Sequence, residues 1–82
     1  MSRQEIEDLV IKVLALILKC DIDNLSSRKT VPQWDSLKQI EVIFALEDEL
    51  KIQFPESRFK DLNSVAEIVD ISEVLSATRN NH

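Results

Sequence analysis

The chain has 82 residues, 44% of them apolar, with ten basic and fifteen acidic side chains and a net charge of −5. That bounds it to one small domain, residues 1–82, with a modest core, and the acidic balance argues against a nucleic-acid backbone as its main ligand and for a partner with basic patches. A single cysteine and a single histidine at the last position exclude a disulfide framework, a Cys-rich zinc site and most His-based catalytic centres.

The first helix opens at Ser2, where Ser2 and Glu5 spell a capping box. Ile6, Leu9, Val10, Val13, Leu14 and Ile17 recur at helical spacing, Leu16 and Leu18 widen that face, and the helix is expected to stop near Lys19 or Cys20. A long connection follows, from about Asp21 to Asp35, polar and interrupted by Pro32. Ile22, Leu25, Val31 and Trp34 are expected to pin it to the core, which favours an ordered and functional loop. The second helix begins at Asp35 or Ser36 and runs to about Lys51, with Ser36 and Gln39 spelling a second box. Ile40, Ile43, Leu46 and Leu50 form its expected core face, while Leu37 and Phe44 lie to one side on a stripe with Glu41 and Asp48. Pro55 suits the start of a short third helix that turns Phe59 and Leu62 inward. Ser64 and Glu67 box the last helix, whose apolar residues are Val65, Ile68, Val69, Ile71, Val74 and Leu75; residues 78–82 are expected to fray. With no glycine and no strand-like alternation, the fold is predicted to be all-α: a small four-helix bundle, three main helices and a short one, with a long loop between the first two.

Little in this pattern supports catalysis. Cys20 has no histidine partner and reads as a reduced packing residue. Glu47, Asp48 and Glu49 are consecutive on a helix and point in different directions. Asp21, Asp23 and Asn24 start like a calcium loop, but Leu25 and Ser26 break the pattern and no bidentate Glu closes it. Ser36 is different, because the free N–H groups and dipole of a helix start favour negative charge. Behind it, Leu37 and Phe44 among Glu41 and Asp48 resemble a docking face for a basic partner. Trp34, just before Asp35 and Ser36, is expected to pack its ring over the loop and the helix start and so hold Ser36 exposed.

The stretch WDSLKQIEVIFALEDELKIQFP resembles the acyl carrier protein family. Its signature, Asp-Ser-Leu at the start of the second helix, is present as Asp35-Ser36-Leu37, and the acid-rich helix end as Glu47-Asp48-Glu49. Length, acidity and helix layout agree over nearly the whole chain. The resemblance implies a non-enzymatic carrier with a covalent 4′-phosphopantetheine arm on Ser36, which holds acyl or aminoacyl groups as thioesters. It implies a docking surface at Asp35, Leu37, Glu41, Phe44, Glu47 and Asp48. The implied partners are a phosphopantetheinyl transferase and acyl-loading and acyl-processing enzymes with basic patches.

Members commonly carry a glycine shortly before the motif and an acidic residue two after the serine. This chain has Gln33-Trp34 and Lys38 there, which points to a specialised acyl, polyketide or aminoacyl pathway. No stretch is long or apolar enough to span a bilayer, and MSRQEIEDLVIK lacks the features of a signal peptide. A free-standing, cytoplasmic, monomeric carrier with no metal is expected. The alternative from another class is a non-carrier acidic adaptor that binds partner proteins through the second helix.

Overall fold

In the computed structural model, residues 2–79 are described. They form α1 (Arg3–Leu18), α2 (Ser36–Leu50), a short 3₁₀ helix (Glu56–Asp61) and α3 (Val65–Arg79). The expected all-α bundle is therefore observed, with no named strand among the described residues. The expectation of a frayed end falls largely on residues 80–82, which lie outside the described residues; the α3 backbone continues to Arg79.

Helix α1 is the shared wall, packed against both α2 and α3. It starts as its spelling dictates: Ser2 Oγ accepts from the Glu5 N–H (3.2 Å) and Glu5 accepts from the Ser2 N–H (3.0 Å). Arg3 then ties this end to α3 through Asp70 (2.7 Å) and Glu73 (3.0 Å). Lys19 and Lys51 close α1 and α2 in the left-handed region, both at φ 56°. A glycine-free chain thus accepts at two lysines a conformation that glycine adopts without a Cβ penalty.

The core joins Ile6, Val10, Val13, Leu14 and Leu18 of α1 to Val42, Ile43, Leu46 and Leu50 of α2 and to Val65, Ile68 and Val69 of α3. Val31, Trp34, Ile52, Phe54 and Leu62 from the connections complete it. Four expected core positions lie outside it: Leu16, Leu25, Ile40 and Val74 are exposed. Leu16, Ile40 and Val74 sit on helix positions rotated away from the buried face. Leu25 is turned out because Asp23 bends the loop, accepting from the Leu25 N–H (2.8 Å). Gln39, Val42 and Ser72 are buried instead.

The long loop is ordered by backbone pairing that periodicity does not reveal. Ser27 and Ser64 form an isolated antiparallel bridge. The Arg28 N–H donates to the Asn63 carbonyl (2.9 Å) and the Val65 N–H to the Ser26 carbonyl (3.0 Å). These bonds clip the middle of the loop to the start of α3.

Candidate functional site

The site is built around the start of α2, and its geometry begins with the residue before it. Asp35 has extended backbone and is the N-cap, its carboxylate accepting from the Lys38 N–H (2.9 Å). This corrects the expected Ser36–Gln39 capping box. Ser36 is the first residue inside the helix, and its hydroxyl is not used as a cap.

Gln39 is unavailable for a box because it turns into the core. Its Oε1 accepts from the Trp34 indole N–H (2.6 Å), and its Nε2 donates to the Leu62 carbonyl (2.6 Å) and more weakly to that of Phe59 (3.4 Å). The Trp34 ring is 2% exposed. The expected anchor is therefore present, with Gln39 as the polar partner that a buried indole requires. The hydrogen-bonded series of Trp34 indole, Gln39 side chain and Leu62 carbonyl thus ties the loop, the first turn of α2 and the end of the 3₁₀ helix together.

Ser36 itself is exposed. Its Oγ accepts from Arg28 Nη2 at 3.4 Å; Arg28 Nε reaches the Trp34 carbonyl and Nη1 reaches Asn63 Oδ1, each also at 3.4 Å. A solvent-facing hydroxyl thus lies beside a guanidinium and at the positive end of a helix whose first N–H groups have no acceptor one turn back. That donor set suits an anion esterified to the hydroxyl. The Asp35 carboxylate opposes it in charge but is occupied with the Lys38 N–H.

The remaining predicted residues divide in two. Leu37 (73% exposed), Glu41, Phe44 (60% exposed) and Asp48 all lie open on one stripe of α2. Ile40 joins them, 41% exposed. At about 100° per residue it falls roughly 60° from Leu37 and about 160° from the buried Val42, a position that the helical angle alone places toward the stripe. Glu47 is turned from the stripe: it is half-buried, and its carboxylate accepts from the Phe54 N–H (2.8 Å), shaping the exit from α2. Lys38 interrupts the acidic face and pairs with Glu41 (3.4 Å). Arg28 carries no local signal in the sequence, since seven residues of loop separate it from Ser36; the Ser27–Ser64 bridge and the Arg28 N–H bond to the Asn63 carbonyl fix its backbone.

Among the described residues no group of His, Cys, Asp and Glu could hold a metal ion, and no helix is long and apolar enough to cross a membrane. No curated protein matches the chain. The model of the family described as the phosphopantetheine attachment site matches residues 8–71, a span that contains the whole of α2, the long loop and most of α1. The chain therefore belongs to the phosphopantetheine-attachment-site family, non-catalytic carriers that bear a covalent 4′-phosphopantetheine and work with a phosphopantetheinyl transferase and biosynthetic enzymes.

Proposed function

We propose that Ser36 is the attachment point of the arm, and that the chain presents acyl or aminoacyl cargo to the enzymes of a specialised pathway. One observation carries this: Ser36 is an exposed hydroxyl at the first position of α2, relieved of capping by Asp35 and faced by Arg28. No other residue of the Asp35-Ser36-Leu37 motif has a nucleophilic oxygen of this kind.

In the attachment step Ser36 Oγ attacks the pyrophosphate phosphorus of coenzyme A that carries the pantetheine arm. The Oγ–P bond forms, the P–O bond to the nucleotide phosphate breaks, and adenosine 3′,5′-bisphosphate leaves. The hydroxyl proton passes to a base of the transferase or to water. Trp34 and Gln39 hold the first turn of α2 in place during this step, so the hydroxyl is offered in one geometry rather than many. Once attached, the arm supplies a terminal thiol that holds cargo as a thioester.

The stripe Leu37–Ile40–Glu41–Phe44–Asp48 is the docking face in this reading. Its apolar members are large, open and unused by the core, and Glu41 and Asp48 give it the sign that steers a basic partner. Asp35 borders it, and Glu47 contributes through the shape of the α2 exit. Lys38 places a cation two residues after Ser36, which supports partners distinct from those that read an uninterrupted acidic face, and hence a specialised acyl, polyketide or aminoacyl pathway.

The test is intact mass after incubation with coenzyme A and a broad-specificity phosphopantetheinyl transferase. The wild type should gain the mass of one phosphopantetheine and Ser36→Ala none. A gain that persists in Ser36→Ala moves the site elsewhere, and no gain in the wild type favours the adaptor.

A further inference from the structure

Arg28 differs from Arg3 and Arg58, the other arginines whose side chains are described. Arg3 is paired with Asp70 and Glu73, and Arg58 with Asp61 (3.8 Å). Arg28 has no carboxylate within ion-pair distance among the described residues, although the protein carries a net charge of −5. Its three donor nitrogens instead touch three neutral oxygens, all at 3.4 Å: the Trp34 carbonyl, Asn63 Oδ1 and Ser36 Oγ. Its backbone is fixed independently, by the bond from its N–H to the Asn63 carbonyl (2.9 Å) beside the Ser27–Ser64 bridge. A guanidinium held by its own main chain, lacking an anion and aimed at one hydroxyl is a preorganised anion contact. The planar fork of arginine suits a phosphate better than any other side chain does.

We propose that Arg28 binds the phosphodiester of the prosthetic group once Ser36 carries it, exchanging its long contact to the hydroxyl for a charged one to a phosphate oxygen. The proposal rests on the assignment of the arm to Ser36. It also gives the phosphate a side of the helix start. Gln39 donates to the carbonyls of Phe59 and Leu62, so the junction bearing Asn63 lies on the inward side of α2, away from the Leu37–Phe44 stripe. A phosphate held by Arg28 would lie toward that junction. Arg28 is in these terms a positioning residue: it acts on the arm and takes no part in thioester chemistry.

The direct test compares apo and loaded wild-type protein, with loading verified by mass. The Arg28 Nε–H resonance should shift on loading. Its hydrogen exchange should slow by about two- to fivefold at low salt, the scale of an exposed charge pair, and the slowing should disappear at roughly 1 M salt, where charges are screened within a few ångströms. Loaded Arg28→Gln should show a displaced phosphorus resonance relative to loaded wild type, with Arg28→Lys closer to wild type. An Arg28 resonance and exchange rate that do not change on verified loading overturn the proposal while leaving Ser36 as the attachment site. The same holds if Arg28→Gln slows the transferase but the loaded variant keeps the wild-type phosphorus signal, which would place Arg28 in the transferase contact. A variant that cannot be loaded does not block the test, because the wild-type comparison decides alone. Absence of the mass gain on Ser36 would instead defeat the underlying assignment.

Discussion

Ser2 and Ser36 stand at the starts of two helices with nearly the same spelling, Ser-x-x-Glu and Ser-x-x-Gln, yet they do opposite work. At α1 the box closes: Ser2 and Glu5 satisfy one another's backbone donors. At α2 the residue before the serine takes the cap, and the glutamine that would complete the box is drawn beneath the helix by the Trp34 indole. A capping serine is held by its own structural bond, whereas at Ser36, one position further in, Asp35 supplies the cap and the hydroxyl is left out of it. The third case, Ser64 and Glu67, lies between: Ser64 Oγ accepts from the Glu67 N–H (3.1 Å) and also donates to the Glu67 carboxylate (3.0 Å).

The contrast can be broken most forcefully from below. Trp34→Ala removes a ring that is 2% exposed and should destabilise the fold by about 3–5 kcal/mol, with slower loading of Ser36. Unchanged melting of this variant would show that the start of α2 holds without its anchor. Gln39→Leu keeps the volume but strands the indole N–H and the Leu62 carbonyl; a loss on the order of 2 kcal/mol is expected from chemical denaturation. Stability equal to wild type would mean that the buried pair can be replaced without cost.

At the two caps themselves, Asp35→Ala and Ser2→Ala should each cost about 1 kcal/mol. Ser36→Ala should cost only a few tenths of that scale, because its Oγ has just the long contact to Arg28. Equal losses for Ser36→Ala and Asp35→Ala in parallel melts would erase the distinction between the helix starts. On the stripe, reversing Glu41 or Asp48 to Lys should slow partner association several-fold at low salt and less at high salt. The Glu41 change should be the larger, since it also leaves Lys38 without its partner. Association rates that ignore both reversals place docking on another face.

The smallest effect concerns acid. Hydrogen bonds from the Ser2 backbone N–H and then from the Ser2 hydroxyl hold the Glu5 carboxyl below its ordinary range. A depressed folded-state pKa means that this stabilisation is present above the unfolded value, about 4.3, and is lost as pH falls through the lower folded value. Melting followed from pH 6 downward should show a slightly shallower decline in Glu5→Gln. The Gln39 counterpart at α2 has no proton to gain, so Gln39→Leu should leave the slope alone.

Much of the fold was legible because helix starts and buried faces are local signals. The Ser2 box, the end of α1 near Lys19, the span of α2 and the burial of Trp34 all follow from neighbours within a few residues. The exposed stripe was legible for the same reason, except for Ile40, whose apolar character masked its angular position. What escaped depends on distant chain. Gln39 spells a cap until the Leu62 carbonyl, contributed from the far side of α2, draws it inward. Arg28 has no local signal at all; the Ser27–Ser64 bridge beside it is a long-range pairing, and its side chain reaches Ser36. Leu25 reads as a pin until Asp23 bends the chain beneath it.

We propose that Ser36, and no other serine of the chain, carries the arm. Fragmentation mass spectrometry of the loaded wild-type protein tests it directly. The phosphopantetheine should lie on Ser36, with Ser2, Ser26, Ser27, Ser57, Ser64, Ser72 and Ser76 unmodified. Attachment to any of those serines, or loading that leaves Ser36 unmodified, would contradict it.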